Sequence, residues 1–194
     1  PSHLVADGQT VRFDPSNDSR VDVLEFEALL ARVDAHRHRR LEACEPCLEL
    51  LVRAIALCRG PLLEGAAPSG VSAEYDDWLA IARERLELRA CRAMQAAAAG
   101  LLAAGRPEAA RDAAARLLAL DPCSDAAERL LLRALVRTEG RHRALRHYRE
   151  FRATLSEELG IEPEDATCSL VERIRQGAAL EPDPRGVGRA VPVV

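Results

Sequence analysis

Between Val21 and Gln176 apolar residues return at steps of three and four, the spacing of one face of an α-helix, and Gly- and Pro-containing punctuation cuts the runs. Val23, Phe26, Leu29, Leu30 and Val33 mark a first helix, which the charged segment His36 to Arg40 ends. A second starts near Glu45-Pro46, where Pro loses nothing in a first turn; it carries Leu48, Leu51, Val52, Ile55 and Ala56 and stops at Arg59-Gly60-Pro61. After an irregular loop from Gly60 to Ser72 comes a long helix striped with Trp78, Ala82, Leu86, Ala90, Ala93, Ala97 and Leu101. So many Ala on one stripe imply close approach to a partner helix. Ala110, Ala113, Ala114, Leu117 and Leu118 form the next stripe, and Asp121-Pro122 reads as an N-cap followed by a first-turn Pro. Ala127, Leu130, Leu131, Ala134 and Leu135 then face one way, as do Ala144, Tyr148, Phe151 and Leu155. Gly160 is placed to cap the latter helix, and Ala166 to Arg175 make a last short one with Leu170, Val171 and Ile174.

Gly105-Arg106 and Gly140-Arg141 open equivalent turns, so the segment from Gly100 to Pro163 reads as successive helix pairs, a helical repeat. Pairs that cannot bury all their apolar surface alone stack on their neighbours, which leaves a curved surface suited to holding another macromolecule. Before Val21 the texture differs. His3 to Ala6 and Gln9 to Phe13, joined by Asp7-Gly8, predict a short β-hairpin, because Asp-Gly supplies the positive φ angles of a tight turn. The expected organisation is a hairpin and loop over 1–20, an all-α body over 21–176, and a flexible tail or linker over 177–194.

Composition narrows the function. The chain has 194 residues, 48% of them hydrophobic but only 3% aromatic, so its core must be built from Leu, Ala and Val. All 27 basic residues are Arg; without Lys there is no Walker-type phosphate loop, Schiff-base lysine or Ser-Lys dyad. A net charge of -4 argues against a surface that grips nucleic acid all over, since phosphate neutralisation supplies most of that affinity. No apolar run approaches the roughly 20 residues of a membrane span, and no secretory signal opens the chain. A cytoplasmic protein without membrane contact is expected. Position 1 is Pro, which fits either a fragment or a start from which Met has been removed.

Four constellations carry candidate chemistry. His36, His38, Cys44 and Cys47 place two imidazoles and two thiols within a dozen residues, the donor set of a tetrahedral zinc site. The two histidines, two apart, converge only if the first helix has already ended. A redox pair at a helix N-terminus and two inert buried thiols are the other readings. Arg129, Arg133 and Arg137 form a row at four-residue steps, continued by Arg141, Arg143, Arg146, Arg149 and Arg152 with His142 and His147 beside them. This row is a solvated face, or the place where DNA backbone or an acidic protein makes salt-sensitive contact. The adjacent acids Asp76-Asp77 and Glu157-Glu158 diverge by about 100° along a helix and so do not face one site. Trp78, Tyr75 and Tyr148 fall on apolar stripes and read as core or inter-helix packing rather than a ligand cage.

Ala56 to Leu63, Trp78-Leu79 with Arg83 to Leu86, Leu118 to Pro122, and Tyr148 with Leu155 to Pro163 together resemble the bacterial transcriptional activator domain. The family usually has Tyr and Asp where this chain has Cys58 and Pro61. This is the tetratricopeptide-like module of the antibiotic-regulatory class of activators, and the likeness spans about Val21 to Gln176. It implies that Leu4 to Phe13 is similar to the wing of a winged-helix domain whose DNA-reading helix would lie upstream of Pro1. It further implies a non-enzymatic regulatory role, with dimerisation, contact with the transcription machinery or relay of an effector signal, and DNA contacted mainly through that upstream part. A tetratricopeptide-like scaffold without a transcriptional role, or a zinc or redox switch at Cys44 and Cys47, stays open beside it.

Overall fold

The computed structural model describes residues 4–6, 10–13, 20–37, 40–65, 72–178 and 180. Two short strands, β1 (Leu4–Ala6) and β2 (Val11–Phe13), pair antiparallel with Leu4 opposite Phe13. The expected Asp7-Gly8 turn and most of the tail lie outside the described residues. Seven α-helices follow among the described residues: α1 (Asp22–Ala35), α2 (Glu45–Leu57), α3 (Ala73–Ala103), α4 (Pro107–Leu120), α5 (Asp125–Thr138), α6 (Arg141–Leu159) and α7 (Asp165–Gln176). Each helix through α6 packs on the one before it, α3 also meets α5, and α7 lies against both α5 and α6. Contact between every helix and its neighbour, with α3 and α5 touching across the intervening α4, is how stacked helix pairs bury their seams. The fold is all-α and tetratricopeptide-like.

One continuous core runs through the stack, and alanine dominates its middle. Ala97, Ala98, Ala110, Ala114, Ala127, Ala134 and Ala144 are wholly buried. Small side chains let the axes of α3, α4, α5 and α6 approach, while Leu48, Leu101, Leu132 and Leu155 fill the wider gaps between them. Gly100 on α3 is the tightest case: a Cβ there would meet Leu48 Cδ1 at 2.9 Å.

Gly105 and Gly140 are both the first residue past a helix C-cap, at φ 72° and 84°, a conformation that costs an L-residue about 1–2 kcal/mol. The two turns are not equal in length. Gly140 is itself the N-cap of α6, whereas Arg106 intervenes before α4.

Three expectations are corrected. Asp121 is the C-cap of α4 rather than the N-cap of α5; Ser124 fills that place, its Oγ accepting from the Ala127 amide at 3.4 Å. Ala56 is exposed, and Ala54 takes its place in the α2 stripe. Trp78 is 53% exposed, leaving the core to Leu79 beside it.

Candidate functional site

The thiol and imidazole cluster is assembled by the ends of two helices. α1 stops at Ala35, so His36 has extended backbone (φ -81°, ψ 124°) and its N–H returns to the Val33 carbonyl. The chain then crosses a 3-10 turn at Leu41–Ala43 and enters α2 with Cys44 as N-cap, its carbonyl accepting from the Leu48 amide at 2.9 Å. A three-residue step from the N-cap places Cys47 on the same side of that first turn. His36 Nδ1 lies 3.0 Å from Cys47 Sγ and 3.3 Å from Cys44 Sγ, and the three donor atoms all fall within 4.8 Å of one another. Cys47 is fully buried, Cys44 half-buried and His36 exposed. Burial, reinforced by the neighbouring Cys44 thiol, pushes the Cys47 thiol up to about 11. A hollow of about 660 Å³, bordered by Arg37, Arg40, Glu45 and Pro46, opens beside His36 and Cys44. His38 lies outside the described residues.

The arginine row is split by the fold. Arg129, its side chain 14% exposed, reaches Glu164 Oε2 at 2.7 Å and Thr167 Oγ1 at 3.0 Å, which fastens the start of α7 to α5. Arg133 turns back onto the Arg129 carbonyl at 3.0 Å. Arg137 is exposed and touches the Leu102 carbonyl. Arg141 and Arg143 are exposed at the start of α6, with Arg143 3.5 Å from Glu139. Of the five, only Arg137, Arg141 and Arg143 are exposed.

Periodicity missed two further groups. Glu128 is wholly buried, with His147 Nδ1 3.3 Å from its Oε1 in hydrogen-bonding geometry and 3.1 Å from its Oε2 at an angle that makes no bond. Burial raises the Glu128 carboxyl above its usual range, against the pull of His147; the hydrogen bond to Glu128 in turn raises the imidazole. The signal was present, since Glu128 sits three and seven residues before Leu131 and Leu135 on one stripe. Arg116 of α4 donates to the Ile55 and Cys58 carbonyls at the C-terminal end of α2, which needs such donors. Burial raises the Cys58 and Cys91 thiols, so both behave as small hydrophobes.

The most exposed apolar surface belongs to α3. Ile81 is 67% and Leu88 52% exposed. Each lies two residues from a buried position, Leu79 and Ala90, and two steps of about 100° place them on the opposite side of the helix. Asp77 and Arg92 lie on the same outward side at either end of this ridge, and Trp78 stands at its shoulder with its ring centroid 5.8 Å from that of Tyr75. Glu27 of α1 holds Arg85 and Arg89 at 2.6 and 3.2 Å, which ties α3 to α1.

The model of the family described as the bacterial transcriptional activator domain matches residues 21–175. The chain belongs to that family. The match begins where the helical period begins and takes in α1 through most of α7, so the stack described above is the activator domain and carries a role in transcription regulation. Among solved structures, Mycobacterium tuberculosis EmbR, in a complex with a low-affinity phosphopeptide, is similar at a TM-score of 0.61 and 24% identity. That likeness, which is one of fold, covers 92% of this chain and 45% of the EmbR chain. Comparison with curated proteins finds no match. No described helix is long and apolar enough to cross a membrane.

Proposed function

We propose that this activator domain is a non-enzymatic interaction module that joins two copies of a bacterial transcriptional regulator, through the outward ridge of α3. The observation that carries the reading is the second apolar face of that helix, 31 residues long, whose first face already serves the core. Large hydrophobic side chains grouped on a surface mark a contact site. The ridge is also complementary to itself. Two α3 helices crossing antiparallel about a two-fold axis between Glu84 and Arg85 bring Ile81 of each copy onto Leu88 of the other, and Asp77 onto Arg92. Self-complementarity of this kind is what an isologous dimer requires.

The hairpin of β1 and β2 fits the wing of a winged-helix domain, in which case dimerisation would set the spacing of two DNA-reading elements. In the same reading, exposed Arg137, Arg141 and Arg143 form the face that meets an acidic partner, because Arg129 and Arg133 are engaged inside the fold.

Sedimentation of the purified chain over a concentration series tests the dimer. Leu88→Asp should weaken association by more than about tenfold, or about 1.4 kcal/mol. Asp77→Arg should weaken it by setting like charges face to face, and Arg92→Asp added to it should restore it. A wild-type chain that stays monomeric at every concentration, or a double variant no better than either single one, overturns the proposal.

A further inference from the structure

We propose that His36, Cys44 and Cys47 form a zinc site that staples the end of α1 to the start of α2, beside the hollow bordered by Arg37 and Arg40. The donor set comes first. Two thiols and an imidazole suit Zn²⁺, while oxygen-preferring Mg²⁺ and Ca²⁺ find no oxygen among the three converging donors. The geometry is nearly preformed. A tetrahedral ion with Zn–N of about 2.0–2.1 Å and Zn–S of about 2.3 Å separates nitrogen from sulfur by about 3.6 Å. The nitrogen-to-sulfur distances are 3.0 and 3.3 Å, so admitting the ion requires the donors to part by only a few tenths of an ångström.

The position of each ligand follows from its element. The N-cap and third residue of α2 hold both sulfurs against the end of a helix whose free amides favour negative charge, and binding releases the two thiol protons as the thiolates form. His36 reaches them because α1 has stopped and its backbone is extended. Cys47 anchors the set from within the core, while His36 and Cys44 border the hollow through which the ion would enter. Among the described residues three side chains are placed to bind the ion, and the hollow beside them has room for a further ligand; where that is an anionic group, Arg37 and Arg40 at the rim favour it. The consequence lies in the fold: the metal would fix the angle of the first helix pair, on which α3 rests.

The chain of 194 residues, purified without a histidine tag under reducing conditions, tests this. Elemental analysis should find about one zinc per chain. Replacement by Co²⁺ should give the visible bands of a tetrahedral ion with thiolate charge transfer, and X-ray absorption of the zinc form should fit two sulfurs with lighter donors. Cys44→Ser and His36→Asn, which leave buried Cys47 in place, should each lower zinc affinity by more than the ten- to hundredfold typical of losing an outer-sphere partner, with helical content by circular dichroism unchanged. Absence of stoichiometric zinc, a six-coordinate cobalt spectrum, or zinc binding indifferent to Cys44→Ser overturns the proposal. None of these readouts depends on dimerisation.

Discussion

Glu128 and His147 show what one misplaced charge does to a helical core. The carboxyl is sealed between α5 and α6, and the imidazole, a quarter exposed, is its hydrogen-bonding partner. A buried charge whose partner is removed costs about 3–5 kcal/mol, less where water reaches the site, so His147→Ala should cost about 1–3 kcal/mol. The pH dependence follows from the direction of both shifts. Each group has its folded pKa raised, so each contributes stability that is complete below its unfolded value and is lost as pH rises through the folded one. For Glu128 that window opens in the ordinary carboxylate range; for His147 it opens near the ordinary imidazole value, about 6.5. Denaturant midpoints should therefore fall as pH rises above about 6.5, and His147→Gln should flatten that upper limb. Parallel curves for the two proteins would show that the pair does not couple protonation to folding.

At the scale of elements, caps and turns divide the stack. Ser124→Ala should destabilise the protein by about 0.5–1 kcal/mol, the low end for a cap because its hydrogen bond is long. Asp121→Ala should change the urea midpoint little; the reverse order would return the cap to Asp121. Helix order, the stripes of α1, α4, α5, α6 and α7, and the closing glycines were all readable from spacing, since each buried face repeats at the helical period. The N-cap of α5 was not, because Asp121-Pro122 and Ser124 are both good starts and only the path of the turn decides between them. Trp78 failed for a different reason. Period identifies an apolar face without saying whether the body covers it, and α3 carries one face that the body covers and one that it leaves exposed. The convergence of His36, Cys44 and Cys47 depended on where α1 ended, a boundary that sequence places only to within a few residues.

For the molecule as a whole, stacking makes α7, the last of the described helices, a lid. α7 covers α5 and α6 through Leu170, Val171 and Ile174, each at most 3% exposed, and Arg129 locks it through Glu164 and Thr167. Fully burying side chains of this size contributes about 1.5–3 kcal/mol each, a large share of the about 5–15 kcal/mol by which a domain is stable. Terminal elements of a helical stack need a polar outer face over a shared inner seam, and without one the seam itself meets water. Ending the chain after Gly160 should therefore uncover Tyr148, Phe151 and Leu155, lower the thermal midpoint and promote aggregation, whereas ending it after Leu180, which still packs against the core, should leave the midpoint unchanged. The two shortened chains separate a lid from a merely adjacent helix, because equal midpoints would mean that α6 closes the stack unaided. Arg129→Ala provides the intermediate case: it loosens α7 without removing it, so its midpoint should fall between the two, and dye binding to the newly opened seam should rise in the same order.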